Sequence, residues 1–333
     1  MAALVATRGG APAAACVAVP RADLPLRPEV RWLLQTAGVD EHALLCSDEA
    51  DVSTLHTDSV VLVDHNVLQP SLRALESLVS EIVDHHDDAG KHGGAARDIA
   101  PLGSCSSLIF EHLHAGAPSL LGESSPLRLC LLGAILLDTG NLTGVAGRCT
   151  PRDVAVATAL GKGVDTDALY ATLFRLRTDQ RGFSTPDLLR RDVKVFTFAG
   201  WKVAISSIGV PLEELCGRTS DPVDAAMDAS SRAGGLDFVV LMTACGEGDE
   251  FNREIAVWAP HGGAADAAGV LPRLEAALAD HKTLALEQME PPPEGWPAGR
   301  GTCFKQRNLK ASRKQIASAL AELFGAVVRQ KSL

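Results

Sequence analysis

Ser59-Val60-Val61-Leu62-Val63-Asp64-His65-Asn66 and Glu81-Ile82-Val83-Asp84-His85-His86 decide the reading of this chain. Each is a short apolar run that stops at an aspartate followed at once by histidine. Between them, Pro70 to Ser80 carries Leu72, Leu75 and Leu78 on one stripe, the pattern of an amphipathic helix. Strand, helix and strand at this spacing predict a βαβ unit with a parallel sheet. Strand C-termini of such a sheet open onto one ligand crevice, so Asp64 and the Asp84-His85-His86 cluster are expected to face the same space. Carboxylate with imidazole is a hard-to-borderline ligand set that suits Mn²⁺, Co²⁺ or Mg²⁺. Neither run contains cysteine, which argues against a structural zinc site.

Downstream, Gly103-Ser104-Cys105-Ser106-Ser107 precedes an apolar helical stretch reaching His114. Small residues and amides at a helix start suit either an ordinary Ser cap or a bound anion. Pro126 to Leu137 is a strongly apolar helix running into Asp138-Thr139-Gly140-Asn141. Asp138 reads either as part of a helix-ending turn with Gly140 left-handed, or as a ligand whose cation removes the dipole penalty of an acid at that end. Thr150-Pro151-Arg152-Asp153 and Thr185-Pro186-Asp187 are helix starts.

The character changes over residues 175–184, polar at first, and a linker is expected there between domains at 1–174 and 185–333. Beyond it, Lys194 to Val210 predicts a β-hairpin turning near Ala199-Gly200. Asp237 to Ala244 and Glu254 to Ala259 read as strands, Pro291 to Gly301 as a loop, and Ser312 to Gly325 as a closing helix. Lys202 is by default a solvated strand lysine. Ser312-Arg313-Lys314-Gln315 places two cations against the helix dipole, which fits a solvated helix start or a bound phosphate. The fold class is α/β with two domains, a parallel sheet in the first and an α+β mixed sheet in the second.

The 333 residues, 46% hydrophobic and 22% charged, describe a globular chain long enough for two cores. Only 4% are aromatic, so those cores are expected to be built from Leu, Val, Ile and Ala. A net charge of −10 argues against nucleic-acid and anionic-membrane partners. The eight cysteines are scattered without a C-x-x-C pair, which suits reduced thiols in the cytoplasm. No apolar run approaches the ~20 residues of a membrane span. The Ala-rich start, Met1 to Cys16, lacks the apolar region of a signal peptide.

The order Asp-His-Asn, Asp-His-His, Gly-Ser-x-Ser-Ser, Leu-Asp-Thr and a late Ser-Arg-Lys resembles the DHH superfamily with a DHHA2 C-terminal domain, from about residue 15 to the C-terminus. That family includes family II inorganic pyrophosphatases, cytosolic exopolyphosphatases and prune proteins. The stretches 21–27, 189–192 and 200–206 are similar to the prune and exopolyphosphatase branch. The resemblance implies two domains facing each other across a cleft, and metal-dependent hydrolysis of inorganic polyphosphate or pyrophosphate with Mn²⁺ or Mg²⁺ (Co²⁺ as a further choice) and no covalent intermediate. It implies that Asp64 bridges two metals, that His85 and Asp138 complete one of them, and that Asp84 orients its neighbours. His86, Lys202, Arg313 and Lys314 would contact phosphate oxygens.

Two departures follow from the same resemblance. The family begins with a strand ending in His or Asn and then, three residues on, Asp-x-Asp, which nothing ahead of Asp64 supplies. Met1 to Ala6 instead resembles the helix that follows that motif, so the first strand is expected to be missing, with one metal position kept and the other reduced to Asp64. Gln315 stands where the family usually has a second lysine. The alternative function is a catalytically weakened, prune-like interaction protein; a nucleotide phosphodiesterase of the wider superfamily is a third reading. Chain-length preference, physiological metal and oligomeric state are left open by the sequence.

Overall fold

The computed structural model describes residues 15–49, 57–68, 70–144, 148–246, 248–263, 269–324 and 327–329. Met1 to Ala6 lies outside them. The chain divides into two compact units, Met1–Thr178 and Asp179–Leu333. Residues 175–178, expected in the linker, instead close a helix that ends at Thr178.

In the first unit, β1 (Cys16–Val17) pairs in parallel with β2 (Leu45–Cys46), and α1 (Pro28–Thr36) lies between them in sequence. A separate parallel sheet has the order β3 (Val60–Val63), β4 (Val79–Asp84) and β5 (Ala96–Ile99). The crossover from β3 to β4 is helical as expected, but it is a 3-10 helix over Pro70–Leu78, and β4 begins directly after it. Leu62 and Ile82 are buried side by side on neighbouring strands. Four helices follow: α2 (Cys105–Gly116), α3 (Pro126–Thr139), α4 (Pro151–Leu160) and α5 (Thr166–Thr178). Their core holds Leu132, Ile135, Leu136, Leu160 and Leu173. A side chain at Gly133 would start 2.8 Å from the Leu33 side chain, so this glycine lets α1 lie close to α3.

The second unit opens with α6 (Thr185–Arg191), which starts where the sequence placed it; its N-cap is Ser184, whose hydroxyl accepts from the Asp187 amide. The hairpin β6 (Val193–Phe198) and β7 (Trp201–Ile208) turns through Ala199 and Gly200, both at positive φ. After α7 (Leu212–Cys216) and α8 (Val223–Gly234) come β8 (Phe238–Thr243), β9 (Glu254–Trp258), the helix Val270–Ala279, β10 (Leu286–Gln288), β11 (Cys303–Gln306), the helix Arg313–Phe324 and β12 (Val327–Arg329). The sheet order is β10-β11-β9-β8-β7-β6-β12, with β7–β8 parallel and the other pairs antiparallel, a mixed sheet.

Both faces of this sheet are covered. Alternation sends Phe238, Val240 and Met242 of β8 into one core and Val239 and Leu241 into the other. The expectation of purely aliphatic cores needs correction here, because Phe196, Phe198, Phe238 and Phe304 are buried together and Trp258 fills the opposite face. A low overall aromatic content says nothing about where the aromatics gather. All eight cysteines are free thiols. Among the described residues no helix is long and apolar enough to cross a membrane.

Candidate metal centre

β3 and β4 each deliver an aspartate at the C-terminal end of a strand, in register across Val63 and Val83. Asp64 leaves β3 with φ 67, a left-handed conformation that costs a non-glycine residue energy but is tolerated best by Asp and Asn. Its amide still donates to the Val83 carbonyl at 2.9 Å, so the turn is held by the neighbouring strand. Asp64 Oδ1 is buried with no hydrogen-bond partner, and its neighbour is His85 Nε2 at 3.3 Å.

The ring of His85 is pinned from behind. Its Nδ1 lies 3.1 Å from the Leu102 carbonyl, which can only accept, so Nδ1 carries the proton and Nε2 presents a lone pair toward Asp64. Two acceptors facing each other at this distance repel unless a proton or a cation lies between them. Asp64 raises the His85 pKa above the ordinary imidazole value, more than burial lowers it.

His86 is held the same way by a different acceptor. Its Nδ1 donates to Asp84 Oδ1 at 2.8 Å, which leaves Nε2 unprotonated in the neutral ring. Asp84 itself is fully buried and satisfied on both oxygens. Oδ1 also accepts the His85 amide at 2.8 Å and the His86 amide at 3.2 Å, and Oδ2 accepts Asn66 Nδ2 at 2.7 Å. Burial pushes this carboxyl up, yet His86 and the amides outweigh it and hold the pKa below the usual carboxylate value. Asp84 is thus consumed in orienting the two histidines. Asp64, His85 and His86 each offer a ligand atom, and these atoms lie within 4.8 Å of one another.

The donor set fits a divalent cation on two grounds: an unpartnered buried carboxylate oxygen, and two imidazoles whose Nδ1 protons are committed elsewhere. Carboxylate with imidazole is a borderline set, and the nearby thiol of Cys105 donates to the Val83 carbonyl while burial pushes its pKa well above the ordinary range.

Asp138 stands in the helix-ending turn that the sequence offered as one of its two readings. It sits in the last turn of α3, followed by Gly140 in the left-handed conformation, and its Oδ2 accepts the Ser104 hydroxyl at 2.7 Å. It lies outside the group whose ligand atoms converge, although its charge is felt by His85. Burial raises the Asp138 pKa, and the charge of Asp64 adds to that rise.

The segment Gly103–Ser107 is not an open anion cradle. The Gly103 and Ser104 amides donate to Asp153, the Ser106 amide to Ser104 Oγ, and the Ser107 amide to the Ser104 carbonyl. The Ser-cap alternative therefore holds. Asn66 and Ser104 stand inside motifs that the sequence singled out, though without a role of their own, and Asp153 was read only as part of a helix start.

In the second unit, Lys202 Nζ donates to the Gly234 carbonyl at 2.7 Å, meeting the negative end of α8. Arg313 pairs with Asp192 and keeps its Nη1 buried without a partner. Lys314 is exposed. Gln315 is engaged locally, its Oε1 accepting the Ser312 amide at 2.8 Å and the Ser312 hydroxyl at 2.9 Å, which is one half of a capping box.

The DHHA2 domain family matches residues 171–323. The human exopolyphosphatase PRUNE1 is 30% identical over 325 residues, covering 92% of this chain and 67% of that protein. A Lactococcus lactis protein assigned as a manganese-dependent inorganic pyrophosphatase is 30% identical over 189 residues, covering 56% of this chain and 59% of its own. A solved Methanococcus jannaschii protein assigned to the family II inorganic pyrophosphatases shares the fold, with TM-score 0.55 at 18% identity over 90% of this chain and 89% of that one.

Proposed function

The chain belongs to the DHH/DHHA2 phosphohydrolase family, on its prune-like branch, and from that premise we propose that it hydrolyses phosphoanhydride bonds of inorganic polyphosphate or pyrophosphate with a divalent metal. The observation that carries this is the convergence of Asp64, His85 and His86, with Asp64 Oδ1 buried and unpartnered against His85 Nε2. Asp64 Oδ1 and His85 Nε2 would hold the cation. A bound Mn²⁺, Mg²⁺ or Co²⁺ supplies the charge that neutralises phosphate oxygens and acidifies water.

The chain's own groups divide the remaining work. The Leu102 carbonyl holds the His85 ring and Asp84 holds the His86 ring, so that each presents Nε2. His86, with its side chain 59% exposed, is the member that reaches substrate; Asp84 raises its pKa and so favours the imidazolium, whose Nε2 proton is donated to a phosphate oxygen. Asp138, whose charge is felt by His85, is the further carboxylate that would help hold the cation. Arg313 and Lys314 are the cations offered for phosphate oxygens, a guanidinium being suited to bidentate contact with them. Lys202, whose ammonium donates to the Gly234 carbonyl, would leave that contact to reach phosphate, as Arg313 would leave Asp192. The eight free thiols favour a reducing compartment and hence the cytoplasm.

The test is release of orthophosphate from pyrophosphate and tripolyphosphate by the chain with Mn²⁺, Mg²⁺ or Co²⁺, alongside a metal titration. Phosphate release that vanishes with EDTA and in His86→Ala supports the reading. A chain that binds none of the three ions refutes it.

A further inference from the structure

We propose that Asp153 is a positioning residue for the metal centre, acting through the three-residue bracket Leu102-Gly103-Ser104. The inference deepens the proposed function and rests on it.

Two arms of the bracket each hold one acidic or imidazole group of the centre. The Leu102 carbonyl accepts His85 Nδ1 at 3.1 Å and so fixes which nitrogen faces Asp64. The Ser104 hydroxyl donates to Asp138 Oδ2 at 2.7 Å. Gly103 between them has no room for a side chain: an added Cβ would stand 2.5 Å from the Arg148 carbonyl, 2.6 Å from Thr139 Cγ2 and 2.9 Å from Asp153 Oδ2. The bracket is therefore seated directly on the end of α3 that carries Asp138 and on the start of α4 that carries Asp153.

Asp153 is fully buried and lies in the first turn of α4. The capping box of that helix uses its contacts to the Thr150 amide at 2.8 Å and the Thr150 hydroxyl at 2.7 Å. The same carboxylate goes further. It accepts the Gly103 amide at 2.8 Å, the Ser104 amide at 3.3 Å and the Ser107 hydroxyl at 2.6 Å. Capping alone would be met by a half-exposed carboxylate with the Thr150 contacts. A wholly buried one must recover its lost hydration from extra donors, and here all of these come from residues 103–107, two of them from the bracket itself. A carboxylate that grips the backbone at 103 and 104 fixes the Leu102 carbonyl and the Ser104 hydroxyl together. His85 and Asp138 thereby keep their orientation relative to each other.

The experiment is a Mn²⁺ titration of the whole chain, read by electron paramagnetic resonance of the free ion, with thermal melting measured in parallel without metal. Asp153→Asn keeps the size but turns an NH₂ toward one set of donors and loosens the bracket. Ser104→Ala cuts the arm to Asp138. Ser107→Ala removes a bond from the same buried carboxylate and leaves the bracket's own contacts alone. Asp153→Asn and Ser104→Ala are expected to weaken Mn²⁺ binding ~10–100-fold, the usual effect of losing a group that orients metal ligands. Ser107→Ala is expected to melt earlier yet bind Mn²⁺ as the wild type does. Wild-type affinity in a folded Asp153→Asn would reduce Asp153 to a helix cap and overturn the proposal. Should Asp153→Asn not fold, equal Mn²⁺ affinity in Ser104→Ala and Ser107→Ala overturns it instead. A wild-type chain that binds no Mn²⁺ is a different failure: it removes the metal centre itself, and this inference with it.

Discussion

Asp64 Oδ1 and His85 Nε2 stand 3.3 Å apart at the ends of neighbouring parallel strands, the oxygen buried without a hydrogen bond and the nitrogen with its lone pair exposed by the bond that Nδ1 makes to Leu102. The pair is complementary to a positive charge between its members. Asp64→Asn tests that directly. Asparagine accepts the left-handed backbone at φ 67 about as well as aspartate, so the fold should persist. Mn²⁺ affinity, measured by calorimetric titration, should fall by at least ~10-fold because a charged ligand has become neutral. A binding isotherm unchanged by the substitution would remove Asp64 from the centre.

The pH dependence follows from the same pair. The His85 pKa is raised above 6.5 in the folded, metal-free chain. A raised pKa means that protonation stabilises the metal-free fold; that contribution is complete below 6.5 and is lost as pH rises through the folded value. Metal binding runs the other way, since the cation competes with that proton and gains as pH rises over the same window. The melting temperature in EDTA should therefore decline above pH 6.5, and the stabilisation by Mn²⁺ should grow. Asp84 has its pKa held below 3.8 and contributes above that pH, losing its contribution on stronger acidification. Thermal shift measured across pH with EDTA or Mn²⁺ checks both slopes.

Asn66→Ala is expected to cost about 2–3 kcal/mol, because it leaves Asp84 Oδ2 buried and charged without its donor at 2.7 Å. Denaturant unfolding measures it. A loss within ~0.5 kcal/mol, the range of an ordinary surface substitution, would mean that Asp84 finds another donor.

Gly103→Ala should destabilise by roughly 1–3 kcal/mol through overpacking, since the methyl meets a backbone carbonyl at 2.5 Å as well as the Thr139 methyl. Neither neighbour is the far end of a flexible side chain. Gly90→Ala, where no atom lies within 4 Å of the added Cβ, is a comparison limited to the strain of its own positive φ. The two melting temperatures separate steric conflict from backbone strain.

Arg313→Ala should act on substrate rather than on folding. Its partner Asp192 is 47% exposed and can be rehydrated, so stability should change little. Loss of the guanidinium proposed to bind phosphate should raise KM for tripolyphosphate several-fold more than it lowers kcat. Steady-state kinetics with added Mn²⁺ would show the opposite ratio if Arg313 acted mainly in the transition state.

Much of the local plan could be read from the chain. The apolar runs ending at Asp64 and Asp84, the hairpin turning at Ala199-Gly200, the helix started by Thr150-Pro151 and the left-handed Gly140 are short-range features. Periodicity and turn chemistry fix such features within a few residues of themselves. The ordered motifs likewise carried the family. Less was legible where neighbours in space are distant in sequence. Nothing local says that Asp153 reaches back 50 residues to the Gly103 amide, that Lys202 ends on the Gly234 carbonyl, or that Asn66 serves Asp84.

Sequence by itself thus determined which residue types stand at strand ends and which faces are apolar, because the backbone imposes periods of 2.0 and 3.6 on any buried face. Tertiary structure alone decided how many donors surround each acid. A carboxylate's role depends on how many donors surround it: Asp84 and Asp153 are buried and saturated, whereas Asp64 keeps an oxygen with none. That count is set by segments folded together from elsewhere in the chain, and no spacing within a motif records it.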